Sequence, residues 1–288
     1  MKHAMNVWVV GGDLRQVKLA QLLHNDGHAV HTYALEQAAE PVEPQSDLSG
    51  VKLADCVVLP LPVSGEGGTL NTPLSAAKHP LEQILNSLHP GQILCAGRVD
   101  GALQRLSAER GLRLYDYFSR EELAVANAVP TVEGALQIAM EELPITLHGA
   151  RVLVIGYGRL GKLLAHRLSL LGARVSVSAR KWSDLAWAEA YGYGVEQTDR
   201  LDGWLCGYDL IVNSVPAPVL GRDRLQELNG DCLVIDLASR PGGVDMDAAR
   251  QLGVKVIWAL SLPGKVAPVT AGKAILNTIY NILREQEG

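Results

Sequence analysis

The sequence of 288 residues predicts an α/β protein built from two doubly wound parallel-sheet domains with a cleft between them. Three observations carry that prediction. Short apolar runs alternate with amphipathic stretches along the whole chain, the alternation restarts near residue 150, and a G-x-G-x-x-G pattern follows one of the apolar runs and opens an amphipathic stretch.

In the first half the strand candidates are 6–10, 28–33, 56–60, 92–96 and 113–117. Helix candidates lie between them at 14–25, where Val17, Leu19, Leu22 and Leu23 share a face, and at 81–88 and 102–110. Segment 36–49 is rich in Pro, Glu and Gln and reads as a surface excursion, and 64–73, with its Gly and Thr, as a mobile ligand-facing loop. Residues 119–142 have helical periodicity that Pro130 should interrupt, leaving Thr131 to cap a helix running to Glu142. The second half offers strands at 151–155, 174–178, 209–215, 232–236 and 255–258. A closing helix over 270–287 carries Ala274, Ile275, Ile279, Ile282 and Leu283 on one face. That face needs a partner, so residues 270–288 are expected to pack back on a first domain of residues 1–128, with 129–269 forming the second.

Composition narrows the classes of function. An apolar share of 48% with 20% charged residues supplies cores and argues against disorder. Net charge is −5, with 26 basic and 31 acidic residues well mixed, which speaks against a nucleic-acid surface. No apolar run reaches the roughly 18–20 residues of a membrane span, and the densest, 57–63, contains Pro60 and Pro62. Lys2 and His3 are followed by a short strand-like run and then Gly11-Gly12-Asp13, which is not the pattern of a signal peptide. Cys56, Cys95, Cys206 and Cys232 are far apart with no C-x-x-C pair, so reduced thiols and no metal are expected.

The strongest local signal is Val152-Leu-Val-Ile-Gly156-Tyr-Gly158-Arg159-Leu160-Gly161. Gly156 permits a tight turn, Gly158 lets backbone reach a diphosphate, and Gly161 lets helix and strand approach, which is the Rossmann-like dinucleotide fingerprint. An NAD-selective site places a carboxylate about 20 residues on, at the ribose 2′-hydroxyl. That region reads Ser178-Ala179-Arg180-Lys181, with two cations and no acid, so NADP is favoured over NAD. The alternative is that Arg180 and Lys181 only cap a solvated loop. The turn Asn213-Ser214-Val215-Pro216 after the next strand completes the cofactor candidates. Gly11-Gly12-Asp13 lacks a third glycine and puts an acid where a diphosphate would sit, so it is not read as a second nucleotide site.

On the substrate side the candidates are Asp13, Arg15, Ser64, Glu66, Thr131 and Ser239, with Arg240 and Glu133 as catalytic candidates. Arg240 beside a nicotinamide could hold a carboxylate bidentately, or equally tie its loop to backbone. Glu133 could act as a base, although carboxylates are common in a helix's first turn.

Taken in order, six segments carry a specific resemblance: Gly11-Gly-Asp-Leu-Arg15-Gln16, Ser64-Gly-Glu-Gly67, Val129-Pro-Thr-Val-Glu-Gly134, Gly156 to Gly161, Asp236-Leu-Ala-Ser239-Arg240-Pro-Gly-Gly243, and Leu262-Pro-Gly-Lys-Val-Ala-Pro268 with Thr270-Ala-Gly272. Over nearly its whole length the chain resembles the dipicolinate synthase A-subunit family of spore-forming bacteria. The second half is also similar to D-2-hydroxyacid dehydrogenases at Ser239-Arg240 and to methylenetetrahydrofolate dehydrogenases at 263–268.

The family resemblance implies an NADP-dependent oxidation of a small dicarboxylate, dihydrodipicolinate or its 4-hydroxytetrahydro precursor from the lysine pathway, to pyridine-2,6-dicarboxylate. It also implies a role in sporulation in the mother-cell cytoplasm beside a flavoprotein-like B subunit, with no nucleic-acid or membrane partner and homo-oligomerisation left open. Such a site needs a hydride acceptor, cations for two carboxylates and a proton acceptor, roles given to NADP, to Arg240 with Arg15, and to Glu133. Two alternatives keep the fold: a D-2-hydroxyacid or amino-acid dehydrogenase, and an NADP-binding regulatory subunit without turnover.

Overall fold

A computed structural model describes residues 4–287, apart from the side chains of Glu66 and Glu287. In chain order its strands and helices are β1 (Asn6–Val10), α1 (Leu14–Asn25), β2 (Ala29–Tyr33), β3 (Cys56–Val58), α2 (Leu81–Asn86), β4 (Ile93–Ala96), α3 (Gly101–Glu109), β5 (Arg113–Asp116) and α4 (Glu121–Glu142). There follow β6 (Arg151–Ile155), α5 (Arg159–Leu170), β7 (Arg174–Ala179), α6 (Trp182–Ala190), β8 (Gly194–Gln197), β9 (Leu210–Asn213) and α7 (Arg222–Gln226). The chain closes with β10 (Leu233–Asp236), α8 (Met246–Leu252), β11 (Lys255–Trp258), α9 (Leu262–Val266) and α10 (Pro268–Glu287). Both sheets are parallel with interleaved helices, so the α/β class expected from the alternation is what the chain forms.

The chain divides into two compact units, Met1–Asn127 with Pro263–Gly288, and Ala128–Leu262. The sequence put its boundaries at 128/129 and 269/270; the units change over at 127/128 and 262/263, so the segment 263–268 belongs with the first.

In the first unit the strand order is β2-β1-β3-β4-β5. The central strands are buried on both faces and read as continuous apolar runs, as in Cys56-Val-Val, because helices cover each side. One core joins Val17, Leu19 and Leu23 of α1 to Ile275, Ile279 and Ile282 of α10, which gives the apolar face of α10 its partner. Asp13 caps α1 and Gln16 completes the capping box, satisfying orphan amides at both positions. Segment 64–73, expected as a loop, carries backbone pairing. Ser64 bridges Leu70, Thr69 bridges Pro80, and the Leu70 side chain is buried in the core.

The second unit has the order β11-β10-β9-β6-β7-β8. Strand order reverses between β6 and β9, leaving a crevice at their carboxyl ends, where ligands bind in open α/β sheets. Strand β8 has no counterpart among the strands expected from the sequence. It is a four-residue edge strand, Gly-Val-Glu-Gln, with no fully buried residue and so no apolar run to betray it.

Helix α4 is continuous through Pro130, which corrects the expected break and removes Thr131 from any capping role. Proline there forgoes one backbone bond, at a cost of about 3 kcal/mol. Burial of Val132, Ala135, Leu136 and Ala139 in the second unit's core offsets it. Among the described residues α4 is the one helix long and apolar enough to cross a membrane by length and composition, and 44% of that stretch is buried. A second correction concerns 262–268, expected as a loop: it forms α9 and the first residue of α10.

Candidate functional site

The carboxyl ends of β6, β7 and β9 surround a pocket of about 400 Å³. Gly156 turns the chain out of β6 at φ +94°, and a Cβ there would stand 2.5 Å from Ser214 Oγ. At Gly161 a Cβ would fall 1.9 Å from the Gly156 carbonyl oxygen, so only glycine lets the first turn of α5 lie against the β6 turn. Gly158 is the N-cap of α5 without a side-chain cap, and a Cβ on it would meet nothing within 4 Å. The first amides of α5, including those of Arg159 and Leu160, therefore stand at the open N-terminal end of a twelve-residue helix whose cap residue lines the pocket.

Ala179, Arg180 and Lys181 bring the end of β7 into the same pocket, and Ser214, Val215 and Pro216 bring the turn after β9. Arg180 and Lys181 are exposed. Arg224 also lines the pocket, but its guanidinium is held by Asp202 at 2.7 Å and by the Val219 carbonyl. Tyr157, the second residue of the glycine motif, also lines it, as do Thr198 and two acids, Asp184 and Asp199, which the motifs did not mark. Asp184 stands in the first turn of α6, six residues past the counted position, and Asp199 follows the unforeseen strand β8. Burial pushes the Tyr157 phenol above its ordinary value, with Tyr193, Tyr191 and Asp184 adding to the shift, so it stays protonated at neutral pH.

Two predicted cofactor residues shape the pocket from behind it. Ser178 is fully buried; its hydroxyl pairs with Thr198 Oγ1 at 2.8 Å, and its carbonyl accepts from the Gly156 amide at 2.8 Å. Asn213 is also buried and brackets its turn, donating to the Val215 carbonyl at 3.0 Å and accepting from the Val215 amide at 3.1 Å. Neither side chain lines the pocket, which corrects their reading as direct contacts.

Next to this turn, the buried Asp236 carboxylate accepts from Asn213 Nδ2 at 2.8 Å, from the Ala238 amide at 3.0 Å and from the Gly243 amide at 2.8 Å. These bonds fix the loop carrying Ser239 and Arg240, both exposed. The Arg240 guanidinium carbon lies 5.9 Å from the centroid of the Trp258 ring, whose indole N–H donates to the Ala238 carbonyl at 2.9 Å. The guanidinium thus stands within cation–π range of the ring.

Of the remaining substrate-side candidates, Asp13 and Arg15 serve structure. Arg15 is 6% exposed; its guanidinium grips Asp13 through Nε at 2.9 Å and Nη2 at 2.8 Å and donates to the Leu61 carbonyl. A buried cation already matched in this way is not available to hold a substrate carboxylate. Glu133 is paired with Arg167 at 3.0 Å on an exposed helix face, which removes the expectation that it is a base. Ser64 is engaged in its backbone bridge, Thr131 lies in mid-helix, and the Glu66 side chain is outside the described residues.

A family model for the N-terminal domain of the dipicolinate synthase A-subunit matches residues 6–118. The A-subunit of dipicolinate synthase from Bacillus subtilis is 30% identical over 290 residues, covering 99% of this chain and 98% of the relative. The chain belongs to the dipicolinate synthase A-subunit family. Crystal structures from this family superpose closely. The protein from Bacillus subtilis gives a TM-score of 0.87 at 29% identity, covering 99% of this chain and 97% of its own, and that from Bacillus halodurans gives 0.87 at 28%, covering 97% of each. A transhydrogenase from Sinorhizobium meliloti shares the fold at a TM-score of 0.72 and 16% identity, covering 98% of this chain and 94% of its own. An L-alanine dehydrogenase shares the fold as well, at a TM-score of 0.65 and 15% identity, covering 97% of this chain and 89% of its own. The family model falls on the first unit, although the most legible motif of the sequence lies in the second.

Proposed function

We propose that the chain is the NADP-dependent dehydrogenase component of a dipicolinate synthase, oxidising dihydrodipicolinate or its 4-hydroxytetrahydro precursor to pyridine-2,6-dicarboxylate during sporulation, together with a B subunit in the mother-cell cytoplasm. The observation that supports it is the pocket at the β6/β9 switch point, rimmed by Arg180 and Lys181 where an NAD-selective site would carry an acid.

The donor set suits a dinucleotide. The amides opening α5 and the open side of Gly158 would take the diphosphate, while Arg180 and Lys181 would meet a 2′-phosphate. When bound, the nicotinamide supplies a hydride acceptor. Arg240 is the residue of this chain offered as the carboxylate anchor: exposed, steadied over Trp258, and standing on a loop that the buried Asp236 carboxylate holds. An anchored carboxylate fixes ring orientation, and aromatisation of the product drives the oxidation once the ring is oriented.

The test mixes purified chain, NADP and freshly generated dihydrodipicolinate, with and without the B subunit, and follows reduced cofactor. Appearance of reduced NADP supports the reading; none in either mixture defeats it. Arg240→Ala is expected to abolish turnover while NADP still raises the melting temperature.

A further inference from the structure

A second pocket, of about 420 Å³, lies between α5 and the end of α6, lined among others by Tyr157, Lys162, His166, Trp187, Tyr191 and Tyr193. Trp187 and Tyr191 stack with centroids 6.1 Å apart and planes at 28°, and Tyr191 stacks on Tyr193 at 6.3 Å and 27°. The three rings form a ladder of nearly parallel faces. Trp187 is 59% exposed and Tyr191 65%, a large amount of aromatic surface to leave in water. On the facing helix the Lys162 ammonium stands 5.7 Å from the Tyr157 ring centroid, and His166, one turn on, shares its face. None of the lining residues is Asp or Glu, so an anion entering here meets a cation and flat π faces with no acid in the wall.

We propose that this pocket binds a planar aromatic carboxylate, its ring against the Trp187–Tyr191 faces and its carboxylate on Lys162. A flat ring gains from stacking on aromatic faces, and the ammonium gives that ring a direction. Tyr157 belongs to both pockets and sits between Gly156 and Gly158 of the dinucleotide turn. Occupancy of one pocket therefore alters affinity in the other, and the coupling is reciprocal. The proposal does not rest on the reaction assigned above.

Calorimetric titration of the full chain with pyridine-2,6-dicarboxylate and benzene-1,3-dicarboxylate tests it, with cyclohexane-1,3-dicarboxylate as the non-planar control. Measured in an Arg240→Ala background, which removes the proposed substrate anchor, saturable binding of both aromatic acids is expected, about tenfold weaker when Trp187→Ala or Lys162→Ala is added and about tenfold weaker for the control acid. Absence of saturable binding, affinity indifferent to both pocket variants, or equal binding of the control acid would overturn it. So would self-association of the chain that vanishes in Trp187→Ala, since a second copy would then be what covers the rings. The NADP melting shift, measured on the same samples, reports separately on the dinucleotide site.

Discussion

Asn213 donates from Nδ2 to Asp236 Oδ1 at 2.8 Å, and this bond ties the end of β9 to the end of β10 beside the pocket at the β6/β9 switch point. Asp236 is 1% exposed and, among the described residues, no cation pairs with it, so its charge rests on one amide group and two backbone N–H donors. The same amide brackets the Val215 turn that lines the pocket. Asn213→Ala should lower stability by about 1–3 kcal/mol, since it leaves a buried carboxylate one donor short. Urea unfolding checks this, and an unchanged midpoint would mean that water substitutes for the amide. The variant should also bind NADP more weakly, because the turn loses both of its brackets.

Gly158 and Gly161 separate folding from binding. Gly161→Ala forces a methyl group onto the Gly156 carbonyl, a backbone atom that cannot swing aside, so it should unfold the second unit or shift α5 and lose NADP binding. Gly158→Ala meets nothing in the protein and should keep the melting temperature within the change expected of about 1 kcal/mol at an N-cap, yet abolish the shift caused by NADP. A Gly158→Ala protein that still responds to NADP would remove the α5 N-terminus from the diphosphate site.

The proposed preference for NADP rests on the end of β7. Arg180→Asp should reverse the preference from NADP to NAD, read as the relative melting shifts of the two coenzymes at equal concentration. Equal shifts in the unmodified chain would show that Asp184 and Asp199, in the same pocket, cancel the two cations.

Arg15→Ala should cost stability and not catalysis. It strands Asp13 and leaves the Leu61 carbonyl without its donor, for a loss of about 2 kcal/mol in unfolding free energy. A variant of normal stability whose KM for substrate alone rises would restore Arg15 as a carboxylate anchor.

Asp209 supplies a pH-dependent contribution. Burial pushes its carboxyl up, but the Arg151 side chain and the Arg151 backbone N–H at 2.7 Å together hold it below the ordinary carboxylate range. A lowered folded-state value means the stabilisation is present above the unfolded value and lost as pH falls through the folded one. The melting-temperature gap between the unmodified chain and Asp209→Asn should therefore be constant above about pH 5 and close below about pH 4. A gap that persists into acid would contradict the assignment.

The sequence by itself determined the α/β class, the family and the glycine turn between β6 and α5. These depend on local patterns: apolar strands that must be covered on both faces, and glycines whose spacing permits one strand–turn–helix geometry. Tertiary structure decided what the individual polar residues do. Arg15 reads as a free cation until the Leu61 carbonyl, 46 residues away, arrives beside it, and Glu133 reads as a base until Arg167 pairs with it across 34 residues. Asp199 and the Trp187–Tyr191–Tyr193 ladder became visible only with β8 placed at the sheet edge. The physical reason is one of range. Backbone preferences and burial periodicity act over a few residues and are written along the chain, whereas hydrogen bonds, ion pairs and ring contacts between distant segments exist only after the sheets have formed.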